Sequence, residues 1–183
     1  MKKVVPIARA TRLINPGPVV LVTARYKDRV NAMPAAWVVP LSINPPLVGV
    51  ALQHERYTYD LVKRSQQFAL NIPGRPLADA VVKLGSVSGH DVPDKLSLSG
   101  LTLSDAQQIS SPVIEECLGW IECGLVDALD VGDHVLIVGE VLAAKAEEEA
   151  FDEAWLLEEK ELKPLHHLGG SLFAVLEARI TAS

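Results

Sequence analysis

The stretch whose reading decides the fold is Arg29–Val62, RVNAMPAAWVVPLSINPPLVGVALQHERYTYDLV. It resumes after a short polar break and runs from Val30 through Asn31, Trp37, Val38 and Val39 to Ser42, which predicts a strand. Pro34 and Pro40 lie inside that run, and each lacks the N–H that a central ladder position needs. The strand is therefore expected to be bent, bulged or at an edge, with backbone groups left free to meet a ligand. Asn44-Pro45-Pro46 is a stiff break, and Leu47–Leu52 is a short apolar run with the look of a buried strand. A helix is expected to open at Tyr57 or Thr58. Leu61 and Val62 form its inward side, Thr58 is its N-cap, and Asp60 suits the first turn.

Working outward, Pro18–Ala24 is apolar and β-branched, and the polar break Tyr26–Arg29 joins it to the strand above as a hairpin. Phe68–Ile72 reads as another strand, stopped by Pro73-Gly74, and Leu77–Leu84 has helical spacing. Gly85–Ser111 is rich in Gly, Ser, Asp and Pro, a long excursion with little regular structure. Val113–Ala128 and Val131–Ala146 read as two long strands, interrupted by Glu122 and Glu140. Glu147–Glu161 is expected to be an acidic helical face, and Leu172–Leu176 is the last apolar run. The strands are mostly neighbours in sequence. That predicts a mainly β fold with short helices, an antiparallel sheet closed into a barrel rather than alternating βαβ units.

The chain has 183 residues, the size of one domain spanning 1–183, and 49% are apolar, enough for a core. A net charge of −6 argues against nonspecific nucleic-acid binding but leaves room for a local pocket that takes a small anion. The N-terminal segment reads as neither signal peptide nor anchor, and no run approaches the roughly 18–20 apolar residues of a membrane span. Cys117 and Cys123 match no metal or redox spacing and read as reduced, partly buried thiols, so a cytoplasmic location is expected. G-x-G-x-x-G after a strand, a Walker loop, H-E-x-x-H and G-x-S-x-G are all missing from the sequence, and no catalytic residue is nominated. A bound cofactor can supply the reactivity that side chains lack.

The Arg29–Val62 run is followed in order by FALNIP (Phe68–Pro73), GSVSGHDVPDK (Gly85–Lys95), GDHVLIVGEV (Gly132–Val141) and KPLHHLGG (Lys163–Gly170). Together these blocks resemble the flavin reductase-like, or flavoredoxin, family from about Pro18 to Gly170. The resemblance implies a split β-barrel of the FMN-binding type, usually a homodimer with flavin sites near the subunit interface. Asn31 and Trp37 match residues flanking the flavin. Ser42, with the backbone of Val38, Val39 and onward to Leu41, matches the stretch along the ring's polar edge. His54, Arg56, Tyr57 and Thr58 match the turn that receives the phosphate. Lys95 matches the lysine of an Asp-Lys pair, His134 the histidine of a Gly-Asp-His turn, and His167 a ring-contacting position. His90 departs from the pattern, because many relatives carry Arg there.

Physical chemistry favours the same region, since a helix start offers free N–H groups to a phosphate and Arg56 a bidentate cation. Each residue also has a plainer reading: Trp37 as core, Thr58 as a cap alone, Arg56 as a solvated charge, Lys95 as a surface partner of Asp94, and His134 as a turn residue. His166 and His167 are neighbours on a strand and point to opposite faces, so no metal site is expected. The activity implied is an FMN-binding oxidoreductase, an NAD(P)H-dependent flavin reductase that passes hydride from nicotinamide C4 to FMN N5 and then serves an oxygenase or another redox partner. The alternatives are a flavoredoxin-like electron carrier that oxidises no NADH or NADPH itself, or a barrel that has lost its flavin.

Overall fold

In the computed structural model, which describes residues 2–182, the chain forms β1 (Gly17–Pro18), β2 (Val20–Tyr26), β3 (Arg29–Ala35), β4 (Val38–Ile43), β5 (Pro46–Gln53) and α1 (Tyr57–Ser65). There follow β6 (Gln67–Ile72), α2 (Ala78–Ser86), β7 (Leu103–Ser104), β8 (Val113–Ile114), β9 (Gly119–Val131), β10 (His134–Ala146), β11 (Leu165–Gly169) and β12 (Leu172–Val175). Seven strands make one antiparallel sheet in the order β3-β2-β6-β9-β10-β5-β4. Its two edges, β3 and β4, are consecutive in the chain and joined only by Ala36-Trp37.

That connection dictates the shape. Laid flat, strands spaced about 4.8 Å apart would put the two edges roughly 29 Å from each other. The chain from Ala35 to Val38 can span at most about 11 Å. The sheet therefore curls until its edges meet, giving a split barrel. Ala51 N–H donates to Trp37 C=O at 2.9 Å and pins the corner against β5. β4 pairs with β5 from Ile43↔Pro46 only to Val38↔Val50, so the last residues of β5 have no strand beside them on that side. The barrel is open along this seam.

The run expected as a single irregular strand is thus two edge strands. The prolines behave as their chemistry requires. Pro34 and Pro40 both sit on edges, and the β4–β5 register shifts between Pro40 and Ser42. Alternation along β2 separates two cores. Val20, Val22 and Ala24 point into the barrel with Val50, Leu52, Phe68, Val135 and Ile137, closed off by Tyr59, Leu61 and Val62 of α1. Val19 and Leu21 point the other way, under Val81 and Leu84 of α2. Gly139 admits the Phe68 ring: a Cβ there would lie 2.5 Å from Phe68 Cζ and 2.9 Å from Cys123 Cβ.

Three expectations are corrected. Glu147–Glu161 is not a helix. Ala150 is buried, Phe151 bridges to Trp155 with their rings 5.2 Å apart, and a single 3-10 turn forms at Lys160–Leu162. The acidic residues there have no apolar stripe to bury. The first strand of the long pair begins later than read, because β8 ends at Ile114 and β9 starts at Gly119. Glu122 is no mere interruption. Its buried carboxylate accepts Gln107 N–H at 2.9 and 3.1 Å and Gln108 N–H at 2.6 Å, which ties down the end of the Gly85–Ser111 excursion. Among the described residues no helix is long and apolar enough to cross a membrane.

Candidate functional site

A cavity of about 490 Å³ opens at the seam. Its walls come from β3, the Ala36-Trp37 corner, the free end of β5, the start of α1, the loop after α2, and a 3-10 segment at Ile7–Leu13. Its charge is one-sided. Arg12, Arg56 and Lys95 line it, and among the described residues no Asp or Glu does, in a chain of net charge −6.

One end is built on α1. The helix begins at Tyr57 with Arg56 as its cap residue, and the cap makes no side-chain hydrogen bond. This corrects the reading of Thr58 as N-cap: Thr58 is the second helical residue. Tyr59 and Asp60 N–H return to Arg56 C=O at 2.9 and 3.3 Å, whereas the Tyr57 and Thr58 N–H groups have no protein partner among the described residues. A helix start leaves such donors unpaired, and with them the positive end of the dipole. Asn31, buried on β3, donates from Nδ2 to Thr58 Oγ1 at 2.6 Å. The Thr58 hydroxyl keeps its own proton to give. Asn31 Oδ1 is buried and has no partner among the described residues, an uncommon state that a ligand donor would relieve. Gly89 passes so close that a Cβ there would sit 2.7 Å from this oxygen.

Lys95 closes the same end. It is 4% exposed, and its Nζ donates to Leu84 C=O and Val87 C=O, both at 3.0 Å, where α2 ends. Burial, and secondarily the Arg56 charge, push its pKa down to about 8. Among the described residues it makes no ion pair with Asp94, so the surface-pair reading is corrected: the ammonium is held by backbone and faces a cavity. Arg56 Nη2 is bonded to Gln53 Oε1. At the rim, His90 packs edge-on to Tyr57 with ring centroids 4.8 Å apart and lies 3.7 Å from Asp60 Oδ2.

Trp37 and His134 pack against each other at the wall, with centroids 4.6 Å apart and planes tilted by 34°. His134 Nδ1 meets Asp133 Oδ1 at 2.6 Å, and that contact, with the nearby imidazole charge, holds the Asp133 carboxyl below its usual range. His167 joins from β11, with Nε2 3.0 Å from Gly170 C=O.

Of the residues singled out in the sequence, Asn31, Trp37, Arg56, Tyr57, Thr58, Lys95, His134 and His167 converge on this cavity. Val38, Val39, Leu41, Ser42 and His54 do not line it. The first four lie along β4, where Val39 and Leu41 are 46% and 44% exposed, and His54 points to Asp130 at 3.7 Å. Sequence reasoning missed Arg12, Gln53 and Ser88. Arg12 sits in a segment with no buried residue and no periodicity. Its signal is distant in the chain: Gly169 has a φ of 124°, and a Cβ on it would collide with the Arg12 guanidinium.

The cavity has no activated nucleophile. Cys117 and Cys123 are free, buried and outside it, and burial, with the adjacent Glu122, pushes Cys123 up to about 12. Among the described residues no group of three or more His, Cys, Asp or Glu is placed to hold a metal. The arrangement is suited to gripping a flat molecule with an anionic end.

The model of the flavin reductase like domain matches residues 12–173. An uncharacterized protein of Escherichia coli, YddH, is 34% identical over the full length of both chains. A flavin reductase of Pseudomonas putida is 31% identical over 73% of this chain and 75% of its own. An FMN-binding domain of a flavin reductase-like enzyme from Shewanella baltica superposes with a TM-score of 0.83 at 28% identity, covering 98% of this chain and 96% of that one.

Proposed function

The chain belongs to the flavin reductase like domain family, and from that premise we propose that it is an FMN-binding oxidoreductase, an NAD(P)H-dependent flavin reductase that acts as a cytoplasmic homodimer. The observation that carries the proposal is the charge of the cavity: three cations and no carboxylate in an acidic chain. The residues fit the group. A phosphate dianion would be held by the free Tyr57 and Thr58 N–H groups, the Thr58 hydroxyl and Arg56 at the start of α1. The Trp37 ring, packed against His134, would offer a face to a planar ring, and the orphan Asn31 Oδ1 is an acceptor in want of an N–H or O–H donor. The volume lies within the roughly 300–1,000 Å³ of small-molecule sites.

When bound, FMN would supply the two-electron chemistry that no side chain here offers. The protein's part is to bind, orient and balance charge. Arg56 and the α1 start fix the anionic end. Asn31, locked by Thr58, is held in one rotamer at the wall. Lys95 holds a positive charge in a dry corner, where it stabilises negative charge far more than a solvated lysine would. Val38, Val39, Leu41 and Ser42 lie outside the cavity, so they would reach the ring's polar edge only through the outer backbone groups of an edge strand that no ladder uses.

The test is direct. FMN is titrated against the purified protein, and Trp fluorescence and the visible spectrum are followed; NADH or NADPH is then added without air. Saturable binding followed by rapid bleaching of the flavin band is expected. Failure to take up FMN overturns the proposal. Uptake without bleaching by either nucleotide leaves an electron carrier in its place.

A further inference from the structure

Arginines that the fold itself engages have visible partners. Arg25 pairs with Asp105, Arg75 with Glu161 and Arg179 with Glu158, Arg56 is bonded to Gln53, and Arg64 lies over the Tyr26 ring. Arg12 has no hydrogen-bond or ion-pair partner among the described residues, yet it lines the cavity. It stands at the β11–β12 turn, against Gly169, whereas Arg56 and Lys95 belong to the α1 end, where the charge of one reaches the other. We propose that Arg12 is a specificity-determining residue that grips an anionic group, a phosphate or a carboxylate, on a second substrate entering the cavity beside the flavin. The proposal rests on the flavin reading for one point: the single phosphate of FMN is already accounted for at the start of α1.

The seat of the guanidinium is built into the fold. Gly169 has a φ of 124°, where an L side chain is strained, and a Cβ there would collide with Arg12 Nη1 and stand 3.0 Å from Cζ and 3.6 Å from Nη2. Backbone conformation and space both require glycine at the one place where the guanidinium rests. The segment that carries Arg12, Ile7–Leu13, buries no residue. Its backbone bonds run from Arg9 N–H to Pro6 C=O and from Ile14 N–H to Thr11 C=O, within the segment and its flanks. Ala8, Thr11 and Asn15 line the same wall of the cavity. With no carboxylate on that wall among the described residues, the potential at the mouth is positive and draws anions. A guanidinium offers paired N–H donors that match the oxygens of a phosphate or a carboxylate. Its planar fork can lie against a glycine and still present donors at its edge, which a lysine ammonium cannot do. The cavity thus has one anion grip at α1 for the flavin and another at Arg12 that sorts second substrates by charge.

The full-length protein is saturated with FMN and titrated with two matched pairs of probes, followed by flavin fluorescence and calorimetry. Nicotinate against nicotinamide tests a carboxylate, and ADP against adenosine tests a phosphate. At least one anion is expected to bind about tenfold or more tightly than its uncharged partner, and the pair that shows the difference tells which group Arg12 reads. Arg12→Met should remove the difference and leave the affinities for FMN and for the uncharged probe unchanged. Arg12→Lys should restore part of it. No preference for either anion overturns the proposal, as does a preference that survives Arg12→Met. A loss in Arg12→Met that falls equally on both members of a pair overturns it too, because Arg12 would then only fasten its segment. So does a matching loss of FMN affinity, which would make Arg12 part of the flavin grip. FMN uptake is measured first: a protein that takes up none fails the flavin reading alone, and an anion preference lost in Arg12→Met still reads on Arg12.

Discussion

Lys95→Met replaces a buried ammonium with an apolar side chain of similar length, and the structure gives the size of the effect. The lysine pKa falls from 10.5 to about 8 in the folded protein, chiefly by burial. At about 1.4 kcal/mol per unit, the charged form is disfavoured by roughly 3 kcal/mol relative to the unfolded chain. The unfolded chain binds the extra proton between pH 8 and 10.5, so wild-type stability must rise with pH across that window. Below pH 8 the lysine is charged in both states and its cost is fully present; above 10.5 it is neutral in both and the cost is gone. The methionine variant carries no such pH dependence. At pH 7 the relief of the buried charge is opposed by two orphaned carbonyls, Leu84 and Val87, each worth about 1–3 kcal/mol. The two proteins should therefore be close in stability at about pH 7. Urea unfolding at pH 7, 8, 9 and 10 should show wild type gaining on the variant by roughly 1.4 kcal/mol per unit above pH 8. Parallel stability curves through that range would refute the reasoning, because they would mean that the ammonium is solvated.

Asn31→Leu combined with Thr58→Val removes both partners of one buried bond together with the orphan Oδ1; unfolding stability should hold or rise by about 1 kcal/mol while FMN affinity drops about tenfold or more, measured by calorimetric titration. Glu122→Gln swaps one acceptor oxygen for an amide that faces the Gln107 and Gln108 N–H groups; a loss of about 1–2 kcal/mol is expected, with faster hydrogen exchange at those two amides. Gly139→Ala drives a methyl into the Phe68 ring and should cost about 1–3 kcal/mol, read as a lower melting temperature with the fold retained. FMN affinity itself should weaken as pH rises past about 8, where Lys95 sheds its proton, and in Lys95→Met this extra loss should disappear.

The elements that the sequence revealed are those whose signals are local. The hairpin of β2 and β3, the apolar β5, the start of α1 and the stop at Pro73 each carry their own pattern over a few residues. The two prolines announced irregularity at the right place. They could not announce that β3 and β4 lie on opposite edges of the sheet, since strand order is fixed by contacts made far along the chain. Glu147–Glu161 misled because charge alone resembles a solvated helix face, whereas Ala150, Phe151 and Trp155 pack into a tight turn instead. Within the site, Asn31 and Thr58 stood out through their place in the family-like motif blocks, but their mutual bond was invisible until β3 and α1 were brought together. Arg12 was missed because its signal lies at Gly169, far away in the chain.

The seam between Trp37 and the end of β5 is where the barrel lacks rungs, and so it is also its mechanical weak point. A ligand seated there would bridge the Trp37 corner and the end of β5, which no strand pairing joins beyond Ala51. Occupancy should then stiffen the whole ring: at a ligand concentration about a hundred times its Kd the folded state gains about 2.7 kcal/mol. The amide of Gln53, on the seam side of β5, would be the first to slow its exchange with solvent. Binding would then be coupled to closure of the barrel, and hydrogen exchange at the seam would read ligand occupancy.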